Sequence, residues 1–290
     1  MILRLFIIFF LLLNSSFAFD SKDNPNLEQQ IDDFSLSGFT QNGRKLWDLS
    51  GKSAYILEQR IKLKDIVGNF YGEKEAVKLT AKQGEFNKQD SNVHLKDDVV
   101  ITTSKGARLT TQSLDWDRSN QLVSTKESIN IERENVITEA LGAFGQSDLK
   151  KITLEKDVKV NIKPNPEEKR ENPIVITCAG PLQIDYEKNI AIFNKNVKVE
   201  NNDLSLYSDI MEVYFSEGKT QEDLPQQSEA LLGTRIEKII CRGNVKIVRG
   251  KNVSYSDEAT YLASEKRIIL SGAPKLVIYP KENPDESFRD

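Results

Sequence analysis

One apolar pattern recurs six times in this chain and restricts its fold more than any other feature. Each copy has two apolar positions two residues apart, a three-residue polar segment, then two more apolar positions two apart. The copies are Val93/Leu95 with Val99/Ile101, Val123/Thr125 with Ile129/Ile131, and Ile152/Leu154 with Val158/Val160, then Ala191/Phe193 with Val197/Val199, Ile239/Cys241 with Val245/Ile247, and Ile268/Leu270 with Pro274/Leu276. The second pairs begin 30, 29, 39, 48 and 29 residues apart. Such spacing predicts one structural unit used repeatedly, each copy burying its apolar face against its neighbours.

The spacing within a copy is that of a β-strand. Residues two apart share a strand face, and the residue between them faces the other way. In the second strands the intervening residues are Val100, Asn130, Lys159, Lys198, Lys246 and Lys275, five of them polar. One face is therefore dry and the other wet, as in an antiparallel sheet solvated on one side. The polar segments, such as Lys96-Asp97-Asp98, Asn194-Lys195-Asn196 and Arg242-Gly243-Asn244, carry the Asp, Asn and Gly that suit turns. They predict two strands joined by a tight turn. A third strand is expected before most copies, marked by Phe86, Trp116, Ile184 and Tyr261, each 13 residues before the second pair; the third copy has Phe144, one position out of step.

No helical periodicity of useful length competes with this reading, and Val, Ile, Thr and aromatic residues fall in short runs. The fold class is all-β. The charge balance, 40 basic against 44 acidic residues, is well interspersed. It supplies neither the clustered basic surface of a nucleic-acid binder nor a polybasic membrane segment.

Five segments are expected. Residues 1–18 read as a signal peptide: Arg4, an apolar run from Leu5 to Leu13, then Ser16 and Ala18 suited to cleavage after Ala18. The alternative is an uncleaved anchor, but the run falls well short of the roughly 20 residues a span needs. Residues 19–162 form a first β module, 163–173 a proline-rich charged linker or exposed loop, 174–280 a second β module, and 281–290 a disordered tail. Residues 216–234 read as a second polar loop.

No catalytic constellation can be assembled, so the chain is not expected to be an enzyme. His94 is the only histidine and lies between two inward residues, which turns it outward and removes the support for a Ser-His triad or a histidine metal site. Asp32-Asp33, Asp97-Asp98 and Glu167-Glu168 are adjacent pairs that would diverge on an extended chain, whereas acid–base carboxylates converge. No motif implies a cofactor or a metal. Cys178 and Cys241 would enter an oxidising compartment, where a disulfide is one outcome. Cys241 occupies the inward position that Leu95, Leu154, Phe193 and Leu270 fill in other copies, so a small buried hydrophobe is the simpler one.

Several strings resemble the lipopolysaccharide-transport family LptC/LptA, also called OstA-like. The LptC-like strings are Trp47-Asp-Leu-Ser-Gly-Lys-Ser-Ala54, Leu79-Thr-Ala-Lys-Gln-Gly84 and Gly106-Ala-Arg-Leu-Thr-Thr-Gln-Ser-Leu-Asp-Trp116. Those similar to the LptA-type module are Gly243-Asn-Val-Lys-Ile247, Ser256-Asp-Glu-Ala-Thr-Tyr261 and Leu270-Ser-Gly-Ala-Pro-Lys-Leu276. The number of repeats exceeds that of a single-domain LptC protein, which suggests a fused or duplicated form.

The resemblance implies an open, twisted β-jellyroll whose apolar trough carries the acyl chains of lipopolysaccharide through the periplasm. The inward residues Val99, Ile101, Ile129, Ile131, Val158, Val160, Val197, Val199, Val245 and Ile247 are then the candidate lipid-binding set. It also implies partners reached by β-strand augmentation: an inner-membrane ABC export complex, outer-membrane assembly components, and further copies of the chain. Periodicity alone allows either an open trough or a closed core. A closed core would suit an exported scaffold that binds polysaccharide or protein without moving lipid.

Overall fold

The structure, a computed structural model, describes residues 29–71, 76–90, 92–104, 106–117, 119–146, 151–164, 173–202, 204–216, 230–231 and 234–279. The expected signal peptide, the tail and most of both polar loops lie outside these residues.

The described residues form strands, turns and bends, with no helix. The strands are β1 (Gln29–Phe39), β2 (Lys45–Ile56), β3 (Arg60–Tyr71), β4 (Ala76–Asn87), β5 (Val93–Thr103), β6 (Arg108–Asp117), β7 (Leu122–Arg133), β8 (Val136–Gln146) and β9 (Lys151–Ile162). They continue as β10 (Ile174–Cys178), β11 (Leu182–Asp185), β12 (Ile190–Asn201), β13 (Leu204–Ser216), β14 (Ala230–Leu231), β15 (Thr234–Arg249), β16 (Asn252–Leu262), β17 (Arg267–Ser271) and β18 (Lys275–Val277). Every pairing is antiparallel and, apart from β13 with β15 across the two-residue β14, joins chain neighbours, with β10 and β11 acting as one interrupted strand and β17 and β18 as another. The result is an all-β, twisted jellyroll wound as one long meander. Residues 163–173 do not divide the sheet, because Ile176 on β10 pairs with Val160 on β9.

The repeated unit differs from the expected strand pair in one respect. In five of the six copies the polar segment is a bend inside a single long strand: β5, β7, β9, β12 and β15 run straight through it. Only the sixth copy is broken into two strands, β17 and β18. The physical cause is visible in the backbone. Asp97, Asp98, Asp157, Lys195, Asn196 and Asn244 adopt φ between 49° and 64°, and Gly243 and Gly272 adopt φ of 75°. One or two left-handed residues inserted into an extended run make a β-bulge that bends the strand without reversing it. Register shifts fall beside these residues at Lys96/Val99, Asn194/Val197 and Arg242/Val245, and the shift at Thr125/Ser128 lies opposite Gly142 on β8, whose φ is 76°. Together they crease the sheet along its whole length.

The crease folds each long strand so that its two halves become opposing walls. Packed between the walls are two cores of buried side chains. One runs from Phe34 to Trp116 and the other from Ile129 to Ala259. Apolar alternation supplies both cores, and burying each Leu, Val or Phe contributes on the order of 1.5–3 kcal/mol.

The expected preceding strands are present, and their markers pair directly with the first residue of the next copy: Phe86 with Val93, Trp116 with Val123, Ile184 with Ala191, Tyr261 with Ile268. The out-of-step copy is explained by Gly145, which takes the inward place opposite Ile152, while Phe144 faces outward and is exposed. A Cβ on Gly145 would press against the Lys151 carbonyl oxygen, so the walls leave no room for a larger residue.

Candidate functional site: an apolar trough between two walls

Register carries single inward residues across the sheet in unbroken lines. On one wall the row reads Leu36, Leu49, Gly68, Leu79, Ile101, Leu109, Ile131, Thr138, Val160, Ile176, Val199, Leu206, Ile247, Ser254 and Leu276. On the opposite wall it reads Ile56, Ile61, Phe86, Val93, Trp116, Val123, Gly145, Ile152, Ile184, Ala191, Val213, Ile239, Tyr261 and Ile268. Each strand contributes because period-two alternation and the bulge together keep its apolar residues on the inner face on both sides of the crease.

All ten candidate residues lie on this inner face. Ile101, Ile131, Val160, Val199 and Ile247 fall on the first row. Val99, Ile129, Val158, Val197 and Val245 lie one inward step nearer the crease and are buried, Val99 completely. In the middle of the molecule the walls meet: Val160, Ala191 and Val213 are at most 1% exposed.

At both ends the walls part. On the first strand Ile31 and Leu36 are 46% and 45% exposed, and on the last strands Ile268 and Leu276 are 48% and 58% exposed. Near the first end a cavity of about 250 Å³ opens between the walls. Its lining includes Phe34, Leu36, Leu63, Phe70, Leu79, Phe86 and Trp116. None of the ten candidate residues lines it. Sequence reading passed over it because β1 to β4 precede the six-copy pattern. The available signal was the apolar alternation in Phe34/Leu36, Ile61/Leu63 and Val77/Leu79.

The outer face is polar. Lys198, Tyr207, Lys246 and Tyr255 pair in register across four strands, with the Lys198 and Lys246 ammonium groups each 5.8 Å from the Tyr207 ring. Arg242 bridges Glu212 and Glu258 on neighbouring strands, and these carboxylates hold its guanidinium above the usual range. His94 points outward, with Nδ1 2.6 Å from Asp115 Oδ1, as its place between two inward residues predicts. Cys178 and Cys241 are buried free thiols, so no disulfide links them. Burial pushes the Cys241 thiol up to about 11, and the Cys178 thiol also rises for the same reason.

A creased antiparallel meander enclosing an apolar trough, open at its ends and wet outside, defines a β-jellyroll of the OstA-like type. The family described as lipopolysaccharide-assembly, LptC-related matches residues 1–163, and the chain belongs to it. Residues 179–287 match a second family, LptA/(LptD N-terminal domain) LPS transport protein, so an LptA-type module follows the LptC-related one. No curated protein matches the chain.

Proposed function

We propose that this chain is a non-enzymatic periplasmic carrier of lipopolysaccharide, holding the lipid A acyl chains between the two walls while the sugars remain in water. The carrying observation is the pair of mainly apolar rows, one running from Leu36 on β1 to Leu276 on β18 and the other from Ile56 on β2 to Ile268 on β17, with Leu36, Leu276 and Ile268 exposed at their ends. Each buried methylene contributes about 0.8 kcal/mol, so a chain of roughly ten gains on the order of 8 kcal/mol, reduced by the entropy of ordering it. Because successive sites along the rows are chemically alike, a lipid could advance with little change in free energy per step. Direction must then be imposed by an energy-coupled exporter.

On this reading export follows signal cleavage after Ala18, and the two modules meet near residues 163–173. The ten inward residues, with those lining the end cavity, contact lipid. The terminal strands β1 and β17/β18 pair on one side only among the described residues. They suit strand addition by an inner-membrane ABC complex at one end and outer-membrane assembly components, or another copy, at the other.

Photo-crosslinking tests the reading. A crosslinking side chain at inward Leu36, Val158 or Leu276 is expected to capture lipopolysaccharide, and one at outward Lys159, Lys198 or Lys246 is not. Absence of lipid from every inward position would sink the reading and favour a closed scaffold.

A further inference from the structure

Among the described residues the buried polar side chains are Ser53, Thr111, Thr125, Thr138, Ser208 and Ser256, and the three threonines fall on the adjacent strands β6, β7 and β8. The first core ends at Trp116 on β6 and the second begins at Ile129 on β7. Where they meet, β6 and β7 turn Thr111 and Thr125 inward, and β8 turns Thr138 into the second core beside Val136 and Ala140; the three are exposed by 5%, 2% and 2%. Thr111 and Thr125 satisfy each other, their hydroxyl oxygens 3.2 Å apart, and Thr125 also accepts a hydrogen bond from the Glu127 N–H. Among the described residues the Thr138 hydroxyl has no partner. It stands on the first apolar row with Ile131 on one side and Val160 on the other. A water there would need two or more polar partners, and these neighbours offer none.

A buried hydroxyl without a partner destabilises a fold unless a ligand completes it. In a trough for acyl chains, the ligand group that both fits apolar walls and accepts a hydrogen bond is the ester carbonyl. We propose that this threonine belt is a polar subsite within the trough, in which the Thr138 hydroxyl donates to the carbonyl oxygen of an acyl ester. The trough then selects ester-linked chains over plain hydrocarbon at a fixed point along its length. The inference rests on the lipid-carrier reading above.

The test uses the full chain, with Trp47 and Trp116 fluorescence reporting binding of lipid A and of a synthetic analogue whose acyl esters are replaced by alkyl ethers. The native chain is expected to prefer the ester lipid by about fivefold to tenfold, the worth of one buried hydrogen bond. Thr138→Val keeps the side-chain shape and should abolish that preference without weakening ether-lipid binding, while raising the melting temperature of the lipid-free protein. Thr138→Ser keeps the hydroxyl and should retain the preference. Equal affinity of the native chain for the two lipids, or a preference that survives in Thr138→Val, overturns the subsite but leaves the carrier reading standing. Binding of neither lipid by the native chain overturns both.

Discussion

Cys241 shows how one inward residue couples the dry face to solution conditions. It lies in register between Met211 and Ala259 on the wall opposite Val245 and Ile247. In the folded chain its thiol holds its proton until about pH 11, against an ordinary value of 9.0. Below the unfolded pKa both states keep the proton and stability does not depend on it. Above that value the unfolded chain ionises while the folded chain cannot, so stability falls as pH rises and the loss is complete near pH 11. The native chain should lose about 2–3 kcal/mol of unfolding free energy between pH 9 and pH 11 relative to Cys241→Ala. Urea titrations of both proteins across that interval would measure the difference, and parallel curves would refute it.

At the scale of the element, the crease depends on left-handed residues packed against a neighbouring strand. Gly243 adopts φ of 75°, and a Cβ there would overlap the Asp209 side chain, which also accepts a 2.8 Å hydrogen bond from Asn244 Nδ2. Gly250 also has positive φ, 59°, but a Cβ there would meet nothing. Gly250→Ala is therefore expected to lower stability by about 1 kcal/mol and Gly243→Ala by about 2–3 kcal/mol. Equal shifts in the urea midpoint would show that the crease contact contributes nothing. The crease also marks the limit of what the sequence made legible. Period-two alternation disclosed the strands, their inward residues and the markers Phe86, Trp116, Ile184 and Tyr261. It did not distinguish a turn from a bend, because Asp, Asn and Gly occupy the left-handed region in both. What separates them is whether the next half-strand pairs with its own predecessor or continues along the neighbouring strand, and that is a matter of register. The same dependence hid the cavity beside Trp116, which exists only because β1 to β4 align their apolar residues with those of β5 and β6.

At the scale of the molecule, the sheet ends in β1 and in the short pair β17 and β18. Val277 pairs with Val253 on β16 and leaves its other side unoccupied among the described residues. Val277→Pro should abolish end-to-end association in analytical ultracentrifugation while the circular dichroism of the monomer is retained, because proline disrupts only the three-residue edge strand β18 and leaves the rest of the sheet paired. Association that persists would place the contact elsewhere.

The unbroken row from Leu36 to Leu276 has a geometric consequence. Its 14 interstrand steps span roughly 65 Å at about 4.8 Å each, and at about 20–25° of twist per step the direction of the groove turns by roughly 300°. The path is thus a screw thread rather than a straight channel. On the carrier reading proposed above, a lipid whose sugars stay in solvent turns through most of a circle as it advances, so travel and rotation are geared together. Any partner that joins the far edge must present its own groove at the azimuth where the thread runs out.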